Sequence, residues 1–199
     1  MALRTAIVIC PGVHLPQLTE AFLAELQASL AGLQASLGAS GLDYWVYPSH
    51  YLPAYSSLHL LGFLHDRLQF NPAQSFSSLP LVFVSFSAGV VAAIGAAIAW
   101  QQGGGQVRSL IALDGWGVPL GGSFPIHRCS HDAFTHWSSA LLGGGAESFY
   151  ADPGVEHLEL WRSPQTAFGW QTSTNAPLRR TTAIEFLAAL IRRYSTPPA

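Results

Sequence analysis

The chain has 199 residues, 49% of them hydrophobic and only 10% charged, with a net charge of -2. That length suits one domain with a substantial core, and the apolar fraction excludes a disordered chain. All nine basic residues are Arg and they form no clustered patch, so no nucleic-acid partner is expected.

Elements follow from hydrophobic periodicity. Residues 6–10 (AIVIC) form an apolar run that predicts a buried first strand, broken by Pro11-Gly12. Leu18, Phe22, Leu26 and Leu30 recur every four residues, so they define one face of a helix. Pro16 suits the first turn of that helix, and the glycines at 38 and 41 suit its end. Residues 43–47 predict a second strand, halted by Pro48. Leu58, Leu61, Leu64 and Leu68 predict a second helix.

Pro80 to Trp100 carries no charge, a length that could span a bilayer. Its composition speaks against one continuous helix. Leu81-Val82-Phe83-Val84 is β-branched and aromatic, Ser85-Phe86-Ser87-Ala88-Gly89 is turn-like, and 90–101 is rich in Ala. A buried strand, a tight turn and a buried helix read this way, so no membrane insertion is expected.

Gly103-Gly104-Gly105 predicts a loop and 109–113 a fourth strand. The stretch from Gly115 to Gly145 is irregular, with a helix expected near 133–142. Residues 147–151 predict a fifth strand, and Ile184, Leu187, Ala188 and Ile191 a closing helix. Arg179-Arg180 and Arg192-Arg193 read as solvated helix ends. Apolar strands separated by helices indicate a three-layer, doubly wound α/β fold with a mainly parallel sheet, in a single domain over 1–199. Sites in such folds lie beyond the carboxyl ends of the strands.

Cys10 and Cys129 lack any metal or redox spacing and are expected to stay reduced, in a cytoplasmic protein. The N-terminus reads as the approach to a first strand rather than as a signal peptide.

Ser87 sits between a strand and a helix, with small residues two before (Ser85) and two after (Gly89). A sharp turn there holds a hydroxyl clear of the sheet beside the next backbone N–H. Ser85 is a second hydroxyl, but it stands at the small position the turn needs. The S-x-S-x-G segment resembles the G-x-S-x-G elbow of the α/β-hydrolase superfamily, in its compact branch of cutinases and small esterases or thioesterases. That resemblance implies Ser87 as nucleophile, a later acid and then a His, with the N–H of Ala88 and one from the loop after the first strand, at Val13 or His14, as oxyanion donors.

The chain order favours His157 as base, with His131 and His136 as rivals. Two carboxylates follow strands: Asp152 and Asp114. Cutinases also carry an Asp-Pro followed by His-Leu, and Asp152-Pro153 with His157-Leu158 is similar, which favours Asp152 while leaving Asp114 open. His14, Trp116 and His136 are candidate substrate contacts, and Tyr51, Tyr55, Trp137, Trp161 and Trp170 further candidate pocket walls. His131 and His136 bring two metal ligands and no obvious third, so neither metal nor cofactor is expected. The expected partner is a small ester, thioester or lipid-like substrate cleaved through an acyl-enzyme, with peripheral contact to a membrane surface left open. The other reading is a non-catalytic domain that keeps the fold.

Overall fold

A computed structural model describes residues 5–37, 42–69, 79–143, 145, 147–174 and 176–196. Among them, eight strands form one sheet in the order β2-β1-β3-β4-β5-β6-β7-β8. The strands are β1 (Thr5–Cys10), β2 (Leu42–Val46), β3 (Pro80–Phe86), β4 (Gln106–Leu113), β5 (Ile126–Ser130), β6 (Glu147–Ala151), β7 (Phe168–Ser173) and β8 (Ala176–Thr182). The helices are α1 (Pro16–Leu37), α2 (Ser57–Gln69), α3 (Ala88–Gln102), α4 (Ala133–Ala140), α5 (His157–Arg162) and α6 (Ala183–Ser195). β1 to β6 pair in parallel, and β7 and β8 add antiparallel at one edge.

The alternation of side chains along a strand divides the core in two. Ile7, Ile9, Val82, Val84, Ile111 and Leu113 pack with α1, α5 and α6 on one face. Ala6, Val8, Cys10, Leu81, Phe83 and Ala112 pack with α2 and α3 on the other. Both faces are covered, so the fold is the expected three-layer, doubly wound α/β architecture.

α1 buries Phe22, Leu26 and Leu30 as its spacing predicts. The glycines expected to end it lie outside the described residues. α2 is turned from the expected face: Leu60 and Leu64 are buried, whereas Leu58 is exposed. The uncharged stretch from 80 divides into β3 and α3, and no helix among the described residues is long and apolar enough to cross a membrane. Cys10 and Cys129 are both buried free thiols.

Four elements lie outside the sequence expectations: β5, α5, β7 and β8. β5 contains His127 and Arg128, polar residues that are nonetheless buried. His127 is bonded between the Glu147 carbonyl and the Tyr194 hydroxyl, and the Arg128 Nε donates to the Gly143 carbonyl at 2.6 Å. The edge pair β7–β8 is polar and largely exposed, so it carries no apolar run. Arg179 and Arg180 therefore stand on an exposed strand, not at a helix end, whereas Arg192 and Arg193 do close α6. His157 precedes two strands, not the closing helix alone.

The chain leaves β1 toward β2 on one side and builds β3 onward on the other. The loops after β1 and β3 thus diverge at the switch point, where open α/β sheets leave a crevice.

Candidate functional site

β3 ends at Phe86, and α3 begins at Ala88. Ser87 joins them at φ 52° and ψ -122°, a left-handed conformation that strains a non-glycine residue by about 1–3 kcal/mol. Its N–H donates to the Leu113 carbonyl at 2.9 Å, and its own carbonyl accepts from the Val90 N–H at 3.0 Å. The turn is thus pinned to β4 on one side and to the first turn of α3 on the other.

Small residues are required around it. A Cβ on Gly89 would stand 2.2 Å from the Cys10 carbonyl oxygen and 2.6 Å from that of Pro11, both backbone atoms. A Cβ on Gly12 would stand 3.0 Å from the Ser87 Cβ. Gly89→Ala is therefore expected to lower unfolding stability by about 3 kcal/mol, measurable by denaturant unfolding. Ser85 is fully buried and donates its hydroxyl to the Ile111 carbonyl at 3.1 Å, which occupies it structurally.

Asp114 lies directly after β4 with φ 48°, a conformation that Asp tolerates better than most residues. Its side chain is 1% exposed. Oδ2 accepts from Nδ1 of His157 at 2.8 Å and from Nδ1 of His131 at 2.9 Å. Oδ1 accepts from the backbone N–H of His131 at 2.8 Å. A carboxylate only accepts, so each ring carries a proton on Nδ1, and a neutral ring keeps its lone pair on Nε2. The shared carboxylate raises the His131 pKa above its ordinary value.

His157 opens α5. Its ring stacks on Phe86, the residue before Ser87, at 4.7 Å between centroids. Phe86 in turn stacks on the buried Trp161, which stacks on Phe22. This aromatic column fixes the imidazole from behind while Asp114 fixes it from the side.

Ser87, Ala88, Asp114, His131 and His157 line one cavity of about 510 Å³. Its remaining wall is Val91, Trp116, Val118, Phe134 and Thr135. A hydroxyl, an imidazole and a buried carboxylate in one cavity can pass a proton and stabilise the resulting cation.

The other expected residues lie elsewhere. The Asp152 carboxylate accepts from the Trp170 indole N–H at 2.8 Å. His14 packs against Phe86 and Trp161 and lines a separate cavity of about 250 Å³ with Thr19, Glu20, Tyr47 and His50. His136 is buried between Trp137 and Tyr150, where burial and the nearby Arg128 lower its pKa. Among the candidate aromatic walls, Trp116 lines the Ser87 cavity, while Trp161 is core and Tyr51, Tyr55 and Trp137 are exposed. Val13 is exposed one residue past Gly12, on the loop that touches Ser87. Phe134 was missed: nothing in its local pattern separates a cavity wall from an ordinary helix residue.

The described residues contain one cluster with metal-ligand chemistry, and it does not include His136. Asp114, His131 and His157 bring donor atoms within 4.8 Å of one another. Both Nδ1 atoms, however, stand 2.8–2.9 Å from Oδ2 itself, closer than the about 3.3 Å between ligands on a tetrahedral zinc ion. The cluster is built as a hydrogen-bond fork.

No known sequence family matches the chain, and no curated protein matches it in sequence. Among solved structures it is similar to a novel cutinase-like protein from Cryptococcus sp., with TM-score 0.37 and 14% identity. That match covers 57% of this chain and 54% of the other, so the chain spans about half the length of that protein. It is also similar to Est1E from Butyrivibrio proteoclasticus, with TM-score 0.47 and 11% identity over 95% of this chain and 88% of that one.

Proposed function

We propose that this chain is a serine hydrolase that cleaves an ester or thioester of an apolar acyl group. The observation that carries this reading is the 2.8 Å contact from Nδ1 of His157 to the buried Asp114, in the cavity that Ser87 enters from a strained turn.

Ser87 Oγ attacks the substrate carbonyl and gives its proton to Nε2 of His157. Asp114 keeps the ring in the required tautomer and stabilises the imidazolium. The oxyanion is held by the N–H of Ala88, which as the first residue of α3 has no acceptor within the helix, and by an N–H of the loop at Val13. Collapse of the intermediate expels the alcohol or thiol, which takes the proton back from His157. Water then enters and adds to the acyl carbonyl as His157 removes its proton; the C–O bond to Ser87 breaks, Oγ takes that proton back from His157, and the acyl group leaves as a carboxylic acid. The chemistry needs no cofactor. Val91, Trp116, Val118 and Phe134 offer an apolar wall to the acyl group, and the sparse charge around them suits a neutral chain.

The acid in this reading is Asp114, not Asp152. Asp114 comes after Ser87 and before His157, so the chain order of the elbow resemblance is kept.

A fluorophosphonate probe tests the proposal. An activated serine displaces the fluoride, and the expected result is one adduct per chain, mapped by peptide mass to Ser87. A chain that stays unlabelled over pH 6–9 is the non-catalytic domain instead.

A further inference from the structure

His131 stands outside the three roles of a serine hydrolase, yet it holds the acid more thoroughly than the base does. Its backbone N–H occupies Oδ1 of Asp114 and its ring Nδ1 shares Oδ2 with His157. The two rings meet edge to face with centroids 5.9 Å apart. The His131 side chain remains 24% exposed, so a proton can reach it. From the hydrolase reading above, on which this rests, we infer that His131 is a positioning residue that clamps Asp114 and, through its own charge, sets how readily His157 accepts the serine proton.

One carboxylate oxygen serves two imidazoles. When His131 is neutral, the full charge of Asp114 serves the imidazolium that forms on His157. When His131 is cationic, that charge is already compensated, and a second cation must form on the same oxygen. Like charges this close disfavour double protonation. Because both rings bond to the same oxygen, a charge on one opposes a charge on the other. The other groups facing His131 act in one direction. Asp132, whose Oδ2 is 3.8 Å from Nε2, and Glu156 both favour the cation. Its raised pKa agrees with this.

The consequence is a stepped acid limb. As pH falls, reactivity drops in a separate step when His131 becomes charged. Two variants separate clamp from charge. His131→Asn keeps a neutral donor toward Oδ2 but cannot titrate, whereas His131→Ala removes the donor.

The experiment measures the rate of fluorophosphonate labelling from pH 5 to 9 for wild type, H131N and H131A. Ring-proton NMR titration of the histidines runs in parallel. At pH 8, H131A is expected to label about tenfold more slowly, the effect of losing a hydrogen bond to a charged group, and H131N to recover most of that loss. H131N should lose the step that His131 protonation puts into the acid limb. An H131N limb superimposable on wild type overturns the charge role, and an H131N as slow as H131A at pH 8 overturns the clamp. In wild type alone, independent single-site titration of the two rings also overturns it. Absence of labelling in wild type overturns instead the hydrolase reading beneath.

Discussion

Ser87→Ala is expected to lower kcat by about 10⁵-fold or more, the scale seen when an attacking serine is removed, with almost no change in the thermal midpoint. The small effect on folding follows from the packing. The Ser87 side chain caps nothing in α3, and its backbone bonds to Leu113 and Val90 do not depend on the hydroxyl. Ala at φ 52° carries the same strain as Ser. Ser87→Gly is equally inactive but relieves that strain, about 1–3 kcal/mol, against about 0.5–1 kcal/mol of added chain entropy in the unfolded state. Its net effect is a gain of about 1 kcal/mol. A pair of inactive variants in which Gly is the more stable marks a turn held under strain for the sake of the hydroxyl. Kinetics with short p-nitrophenyl esters and chemical unfolding of both variants measure it. Retained turnover in Ser87→Ala removes Ser87 as nucleophile.

The turn at Ser87 is legible in the sequence and chain order also points to His157, whereas the choice between Asp114 and Asp152 is not, for a physical reason. The elbow is local: a buried strand, a crowded turn and a helix, each with its own sequence pattern. The Cβ that Gly89 lacks would strike the carbonyls of Cys10 and Pro11, and that constraint is written into five consecutive residues. The carboxylate–imidazole pair is not local. Asp114 meets His157 across 43 positions, and the sequence near each says nothing of the other. Asp152 attracted attention because its Asp-Pro context resembles a cutinase acid, yet its carboxylate is spent on Trp170.

β5 is hidden for a related reason. Apolar runs announced β1, β3 and β4, but β5 hides behind His127 and Arg128, whose burial is compensated by bonds to Glu147, Tyr194 and Gly143. Missing β5 also hid the meaning of His131. That residue is the first after the strand's carboxyl end, which is where the fold places its chemistry. Composition could announce the sheet, but only the register of β5 beside β4, with Leu113 paired to Cys129, brings His131 to Asp114.

Asp114→Asn is expected to lower kcat by about 10⁴-fold, while Asp152→Asn stays within a few-fold of wild type. The first number follows from tautomer control. Asn fits the same backbone conformation, since it also tolerates a positive φ, so the turn survives. Its side chain has one acceptor oxygen where Asp114 has two, and three donors compete for it. If the oxygen faces the two imidazoles, the amide NH₂ opposes the backbone N–H of His131. If it faces that N–H, the NH₂ opposes both rings and drives the His157 proton to Nε2, which removes the lone pair that should receive the serine proton. Either arrangement leaves a buried donor unmatched, at about 1–3 kcal/mol in stability. Unfolding must therefore be measured beside turnover, and the variant assayed where it is fully folded. Asp152 differs because it accepts a single bond from the Trp170 indole, which an Asn carbonyl reproduces. A collapse of turnover in Asp152→Asn with an active Asp114→Asn would reverse the assignment. The fork at Asp114 would then be a structural polar cluster beside the cavity rather than the charge that drives it.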